Sequence, residues 1–474
     1  MNIKPFSWDR EAARAGRFDG RFLIGVLTTR IYCLPSCAAR PPKPENVRLF
    51  KTEEEAKAAG LRACKRCRPD LFYRGENSEI SLFEGLAARV RAAPQKFADV
   101  PALAQACGVS QTKLGELLRD HAHMAPAARL RRERVLAASR QLLGQSEKII
   151  DVGFDVGFES ESVFHRQFLS LMRMTPGAYR AMKDASVFLL QLPAVWRKDE
   201  IVAYHGRDPE GLCERADQNR ILKALATADG PAILEISLEQ EGAWCRVHSS
   251  SRLGPTAMAS LHTAALKMLG LAIDATAFEI RSARDPLFSN VVARRKGLRL
   301  AVIPSGFDAL AWAIVGQQIN VKFATVLRRE LILLAGEAVD GMRLHPAPAR
   351  VAALDAKQLT ARRFSHSKAD YLIGAARGVV EGKFDPEALG NGSAVAAEKS
   401  LTSFRGIGTW TARYMLLRGA GFADCAPAGD SALATALHHL YRTPDQHDLF
   451  LLGQFKHDSR SCRQQRIGER AGWV

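Results

Sequence analysis

The sequence predicts a multidomain α+β chain, and three observations carry that expectation. At 474 residues the chain has room for roughly three to four domains of the usual ~150 residues. Four of its cysteines, Cys33, Cys37, Cys64 and Cys67, crowd into one short, turn-rich N-terminal stretch. The rest of the chain changes its hydrophobic period along its length. Short helical patterns with turn signals come first, then strand-like runs mixed with helices, then amphipathic helices. Four segments follow from this: residues 1–74, a small cysteine-bearing domain; 79–181, all-α; 187–300, an α/β subdomain; and 301–474, all-α. Linkers are expected near Gly75–Ser78 and Lys183–Ser186.

Composition narrows the function. A hydrophobic content of 47% supports packed cores. No run of about 18 apolar residues occurs, so no transmembrane helix is expected. The N-terminus, MNIKPFSWDR, lacks the apolar region of a signal peptide. A cytoplasmic chain with no membrane partner is the expectation. The net charge of +17, with a pI near 9.7, points to a polyanionic partner, and nucleic acid fits best. An inert basic surface is the alternative. Nine cysteines in such a chain argue against a disulfide framework.

The N-terminal segment carries metal chemistry. Cys33-x3-Cys37 is separated by 26 residues from Cys64-x2-Cys67. Two such pairs suit a closed tetrahedral site, and four soft thiolates favour Zn²⁺ over magnesium or calcium. Lys65, Arg66 and Arg68 would offset its charge. A purely structural zinc ribbon is the open alternative. The run RFLIGVLTTRIYCLPSCAAR, with ENVRLF and GLRACKRCRPD after it, closely resembles the N-terminal domain of the Ada methylation-response family over about 60 residues. That resemblance implies one Zn²⁺ held by Cys33, Cys37, Cys64 and Cys67, with Cys33 taking a methyl group from a damaged DNA phosphotriester. Zinc with four thiolates is formally −2, and methylation leaves −1. Repulsion from DNA phosphates would fall by on the order of 1–4 kcal/mol.

The second segment reads as two helix–turn–helix units. Residues 98–119 give helix, Gly108 turn and helix, with Ser110 as N-cap. Residues 149–170 repeat the pattern around Gly157-Phe158. With MTPGAYR (Met174–Arg180) closing it, this segment resembles the AraC-type DNA-binding domain over about 100 residues. Ser160, Ser162, His165 and Arg166 are the expected major-groove contacts of the second unit. In the first, Gln111, Thr112 and Lys113 could reach DNA, but Gly115 and Glu116 suit a groove-lying face poorly. Helices that merely pack are the alternative for both units.

The last segment holds the catalytic candidates. In LTSFRGIGTWTARYMLLRGAGFADCAPAGD (Leu401–Asp430), Gly406 and Gly408 bracket one apolar residue at a helix start. Backbone amides there can face a phosphate with no Cβ in the way. Trp410 and Tyr414 lie four apart on one helix face, and core packing is the alternative use of such a pair. With Phe404, Thr411 and Asp430 in register, the run resembles the helix-hairpin-helix motif of base-excision glycosylases, most closely the AlkA-type 3-methyladenine DNA glycosylase II. The resemblance implies that Gly406, Gly408 and Thr411 grip DNA, that Trp410 and Tyr414 line the pocket, and that Asp430 attends the sugar of a flipped nucleotide. In DALAWAIVGQQINVKFATVL, from Asp308, it places Gln318 as the wedge that fills the gap in the DNA. An ordinary helix end at Gly316-Gln317-Gln318 is the alternative. Relatives with lyase activity carry lysine at the place of Trp410, so a monofunctional enzyme is expected. After Phe455 the chain loses amphipathic periodicity where the family has a pocket-closing helix, as if that terminus were replaced or frame-shifted. No Pro-Cys-His-Arg quartet occurs, so repair of O6-alkylguanine is not expected.

Together these readings give an Ada-like zinc domain, an AraC-type helix-turn-helix domain, an α/β AlkA N-terminal-like subdomain and a helix-hairpin-helix glycosylase domain. Alkylated and promoter DNA are the expected partners, with RNA polymerase a further one, and the chain is expected to be a monomer. The rival is a transcription regulator whose glycosylase half is inactive.

Overall fold

The computed structural model describes residues 18–37, 39–74, 78–144, 147–286 and 288–441. The expectations for the chain after Arg442 lie outside the described residues. The protein divides into two compact units, one running to Leu86 and the other beginning at Ala87.

In the first unit, strands β1 (Leu23–Val26), β2 (Ile31–Cys33), β3 (Val47–Phe50) and β4 (Arg62–Ala63) form one sheet in the order β3-β1-β2-β4. β1 pairs antiparallel with β2 and β3, and β4 joins β2 in parallel with Tyr32 opposite Ala63. That parallel pairing matters most here. It ends both strands together and so brings Cys33 and Cys64 side by side, with the Cys64 N–H bonded to the Tyr32 carbonyl at 2.9 Å. Leu23, Tyr32, Leu34, Phe50, Ala56 and Leu61 make the core. Helix α1 (Glu53–Ala58) is capped by Thr52 and closes one face.

The second unit opens with the paired helix–turn–helix elements. α2 (Val100–Ala106) and α3 (Gln111–Ala122) form the first, with Ser110 as N-cap of α3. α4 (Pro126–Gly144) connects them to α5 (Ile149–Asp155) and α6 (Glu161–Met172), capped by Ser160. α7 (Pro176–Ala181) starts in the MTPGAYR phrase with Thr175 as its cap. Between α5 and α6 the chain turns at Gly157, whose φ of +96° suits glycine and whose Cβ would lie 2.9 Å from the Gln95 backbone.

Strands β5 (Val187–Leu190), β6 (Glu214–Asp217), β7 (Arg220–Thr227), β8 (Gly230–Leu238) and β9 (Ala243–His248) then form a sheet in the order β5-β9-β8-β7-β6, antiparallel at every step. Helices α8 (Lys198–His205) and α9 (Pro255–Met268) pack on it. The period-2 pattern of β9 is clean: Ala243, Cys245 and Val247 face inward and Trp244, Arg246 and His248 outward. The linker expected at Lys183–Ser186 is occupied by one tight turn, Met182–Asp184. Residues on either side of it enter a single core that reaches from Val135 to Ala301. Buried His262 spans this seam, with Nε2 donating to the Met172 carbonyl at 2.9 Å.

The remaining helices surround a second core from Ile303 to Cys425. Helix α10 (Gly306–Val315) is buried along its whole length, and α11 (Val321–Ala335) and α12 (His366–Val380) pack around it. A buried ionic network fastens this half to the sheet. Arg328 forks onto Asp308 at 2.7–3.0 Å, while Lys223 reaches Glu214 at 2.8 Å and Asp308 at 3.1 Å. Burial alone would raise the Asp308 carboxyl, but Arg328, His345 and Lys223 together hold it well below the usual range.

Candidate functional sites

The first candidate site is the cysteine cluster. The sulfurs of Cys33, Cys37, Cys64 and Cys67 all lie within 4.8 Å of one another. Tetrahedral Zn–S bonds of about 2.3 Å put sulfurs roughly 3.8 Å apart, so the donor set fits one Zn²⁺. The thiols cannot ionise together unaided. Hydrogen bonds with Cys37 and Cys67, then burial, push the Cys33 thiol up, while the bonds with Cys33 and Cys67 pull the Cys37 thiol down to about 2. A divalent cation resolves that competition. Backbone N–H groups of Leu34 and Arg66 donate to the sulfurs of Cys67 and Cys64, each at 3.4 Å. The Ala39 amide serves Cys37. Backbone amides thus reach three of the four sulfurs. Cys33 is also more buried than Cys37. The Cys33–Cys37 loop is pinned by Asp19, whose carboxylate accepts from the Ser36 N–H (3.0 Å) and hydroxyl (2.5 Å). Of the three cations expected to offset the cluster, Lys65 and Arg66 are exposed, but Arg68 is clamped on Asp70 at 2.8 Å.

The helix–turn–helix candidates are arranged along α6. Ser162 and Arg166 are exposed and His165 half-buried. Ser160 is engaged in capping: its oxygen accepts the Val163 N–H and lies 3.1 Å from the Ser162 hydroxyl.

The second candidate site lies in the helical half. α13 (Ala394–Thr402), the bend at 403–408 and α14 (Thr409–Met415) form the hairpin motif. Gly406 has φ +85°, and a Cβ there would lie 2.1 Å from the Tyr371 ring, so glycine is required twice over. Gly408 is the N-cap of α14 with no side-chain cap, and a Cβ on it would meet nothing within 4 Å. Protein packing therefore does not dictate glycine at 408, and the approach to the amides of α14 is open. The wedge candidate, Gln318, is exposed and left-handed at φ +55°. A left-handed non-glycine residue is unusual and is held by its neighbours. Gln317 Nε2 donates to the Gly406 carbonyl at 2.8 Å and to Thr411 Oγ1 at 2.9 Å, while Lys368 Nζ donates to the carbonyls of Ile314, Val315 and Gln317. Thr411 is buried in that contact, so it faces the protein.

Asp430 is the N-cap of α15 (Ser431–Tyr441): its Oδ1 accepts the Leu433 N–H at 2.9 Å. Its Oδ2 accepts from Trp410 Nε1 at 3.0 Å. The Trp410 and Tyr414 rings stack at 5.3 Å and 28°, and both are half-buried. They are too close to take a base between them, so a base can stack only on an outer face. Trp312 Nε1 donates to the Tyr414 hydroxyl at 3.0 Å, and the Arg207 guanidinium lies over the rings of Tyr204 and Trp312. Sequence reasoning missed Trp312, Gln317, Arg207 and Tyr204. Trp312 and Gln317 stand in the segment it singled out. Arg207 and Tyr204 belong to another segment and left no local signal.

Comparison with known proteins agrees with this geometry. Residues 7–70 match the metal binding domain of Ada, 103–182 a helix-turn-helix domain, and 311–449 the HhH-GPD superfamily base excision DNA repair protein. The chain is 28% identical over 464 residues to a probable bifunctional transcriptional activator/DNA repair enzyme AlkA of Mycobacterium tuberculosis (strain CDC 1551 / Oshkosh), covering 90% of this chain and 88% of that one. It is 26% identical to a DNA-3-methyladenine glycosylase of Bacillus subtilis (strain 168) over 56% of this chain and 90% of that one. It is also 30% identical to the bifunctional transcriptional activator/DNA repair enzyme Ada of Escherichia coli (strain K12), over 49% of this chain and 61% of that one. Three family models thus meet in this one chain, which joins an Ada-type metal-binding domain and a helix-turn-helix domain to a HhH-GPD superfamily base excision DNA repair domain.

Proposed function

We propose that the chain repairs and senses alkylated DNA. Its helical half hydrolyses the N-glycosidic bond of alkylated purines such as 3-methyladenine, and its N-terminal domain accepts methyl groups from DNA phosphotriesters. The observation that carries the first activity is Asp430, fixed by two donors beside an open hairpin and a stacked aromatic pair. The alkylated base must leave the stack before its bond to the sugar is accessible. That base is already cationic and departs with the bonding electron pair. Positive charge then develops on the deoxyribose, and a carboxylate already held in place stabilises it without reorganising. Asp430 also orients the attacking water. An outer face of the Trp410–Tyr414 stack attracts a cationic base, worth ~0.5–2 kcal/mol. Trp410 supplies no amine and Lys368 is committed to backbone carbonyls, so no Schiff base forms and the product is an abasic site. Gln318 fills the vacated gap. Gly406 and Gly408 bring the hairpin backbone to the phosphates, and Thr411 braces that bend through Gln317.

In the N-terminal domain, Cys33, Cys37, Cys64 and Cys67 hold Zn²⁺, which when bound keeps the sulfurs ionised. The Cys33 sulfur attacks the triester methyl. The S–C bond forms, the O–C bond breaks, and its electron pair stays on the phosphate oxygen. The loss of one negative charge tightens DNA binding, through Ser162, His165, Arg166 and the capping Ser160 on α6, and switches on transcription. That gain shrinks as salt rises.

The test uses purified full-length protein and methylated duplex DNA. Free 3-methyladenine with an abasic site, no borohydride-trapped adduct, and a methyl group on Cys33 by mass spectrometry are the expected results. Methylated Cys33 without base release identifies a regulator with an inactive glycosylase half. Base release without methyl transfer identifies a purely structural zinc domain.

A further inference from the structure

The first helix–turn–helix unit presents a puzzle that the proposed function leaves open. Gly115 and Glu116 are poor groove-facing residues, yet α3 is well formed, with Leu114, Leu117, Leu118, His121 and Ala122 buried. Its C-terminal end packs on α13, the first helix of the hairpin motif. The contact is polar and buried. His121 and Ser393 are 3% and 1% exposed, and their Nδ1 and Oγ lie 2.7 Å apart across 272 residues of sequence. Ser393 is the N-cap of α13, its oxygen accepting the Ala396 N–H at 3.1 Å, and with the His121 ring protonated at Nε2 its hydroxyl donates to Nδ1. Two residues on, the His123 ring meets Phe422 edge-on at 5.4 Å. Phe422 anchors the start of the loop to Asp430, with its carbonyl accepting the Cys425 N–H at 3.1 Å. Arg91 adds a hydrogen bond to the Asn391 carbonyl, just before α13. The hold passes onward, because Glu398 of α13 accepts from Arg413 of α14 at 2.9 Å.

We propose that the first helix–turn–helix unit is a positioning element of the glycosylase half. α3 seats the N-terminus of the first hairpin helix through His121 and steadies the Asp430 loop through His123. Base excision therefore depends on a segment that its sequence marks only for DNA reading. This rests on the glycosylase reading above. It also explains why the C-terminal half of α3 is built for protein contact. By linkage, DNA gripped at the hairpin must stabilise α3 in return.

The test compares the full chain with His121→Ala and His121→Asn, since asparagine can accept the Ser393 hydroxyl from nearly the Nδ1 position. Expected for His121→Ala is a fall of about tenfold in the single-turnover rate at saturating methylated DNA, because small misplacements of a catalytic group are costly. Hydrogen exchange should quicken across Ala394–Thr402, and His121→Asn should restore both. Unchanged rate and exchange in His121→Ala overturns the proposal. So does quickened exchange spread evenly over the chain, which would mark a merely structural residue. If the parent releases no base, the glycosylase reading fails, while exchange at Ala394–Thr402 still decides whether His121 seats α13.

Discussion

Asp430→Asn separates charge from structure at the proposed catalytic site. Asparagine keeps the size of the side chain and caps helices about as well as aspartate. The Leu433 N–H therefore keeps its acceptor, now 2.9 Å from Oδ1, and α15 keeps its start. The other oxygen becomes an amide that faces the Trp410 N–H, donor against donor, where a 3.0 Å bond stood. Leaving that half-buried indole unsatisfied costs about 1–3 kcal/mol of local stability. The larger effect is on the reaction, since removing one preorganised stabiliser typically costs ~2.7–4 kcal/mol, or 10²–10³ in rate. The decisive assay is single-turnover release of 3-methyladenine from methylated duplex, with DNA affinity measured alongside. A fall of 10²–10³ in rate at nearly unchanged affinity is expected, because hairpin amides and basic residues supply the binding. A variant within threefold of the parent, or one whose affinity falls as far as its rate, refutes the role given to Asp430.

Trp410→Phe keeps the stack with Tyr414 and deletes only the N–H to Asp430. Losing a hydrogen bond to a charged group, worth about 1.5–3 kcal/mol, should slow base release ~10- to 150-fold, and an unchanged rate would show that the bond does not orient the carboxylate. At the metal centre, Cys33→Ser should abolish methyl transfer while Cys37, the more exposed neighbour, stays unmethylated; peptide mass spectrometry finding the methyl on Cys37 would move the acceptor. Asp308→Asn strips the anion from between Arg328 and Lys223 and should cost about 3–5 kcal/mol in urea unfolding, so a loss below about 1 kcal/mol would mean the network is dispensable. Burial holds His262 neutral down to about 4, so between pH 6.5 and 4 the unfolded chain takes up a proton that the folded chain refuses. Stability should therefore fall as pH falls through that window, by roughly 3 kcal/mol from this residue. His262→Gln should flatten the slope, and an identical slope in that variant would exclude the residue as its source.

Much of this protein was legible in its local sequence, because its chemistry is written in short, rigid spacings. The cysteine pairs, the capped turn at Ser110, the turn at Gly157-Phe158, the Gly406-Ile407-Gly408 bend and Asp430 each depend on neighbours a few residues away. Caps and left-handed glycines are set by sterics and by backbone hydrogen bonds that any short segment satisfies alike. Local pattern could not say what each residue is used for once the chain closes on itself. Thr411 matched the DNA-gripping motif, yet it is buried against Gln317. Arg68 was read as a counter-charge to the thiolates and is clamped by Asp70. Trp312, Arg207 and Tyr204 reach the neighbourhood of Tyr414 from two different segments, and no spacing encodes that. The same holds for α3, whose apolar face reads identically whether it covers its own domain or the hairpin helix. Amphipathic periodicity fixes which face is buried and is silent about what buries it. Only the tertiary structure, which brings His121 to Ser393 and Asp308 to Lys223, decides the partner.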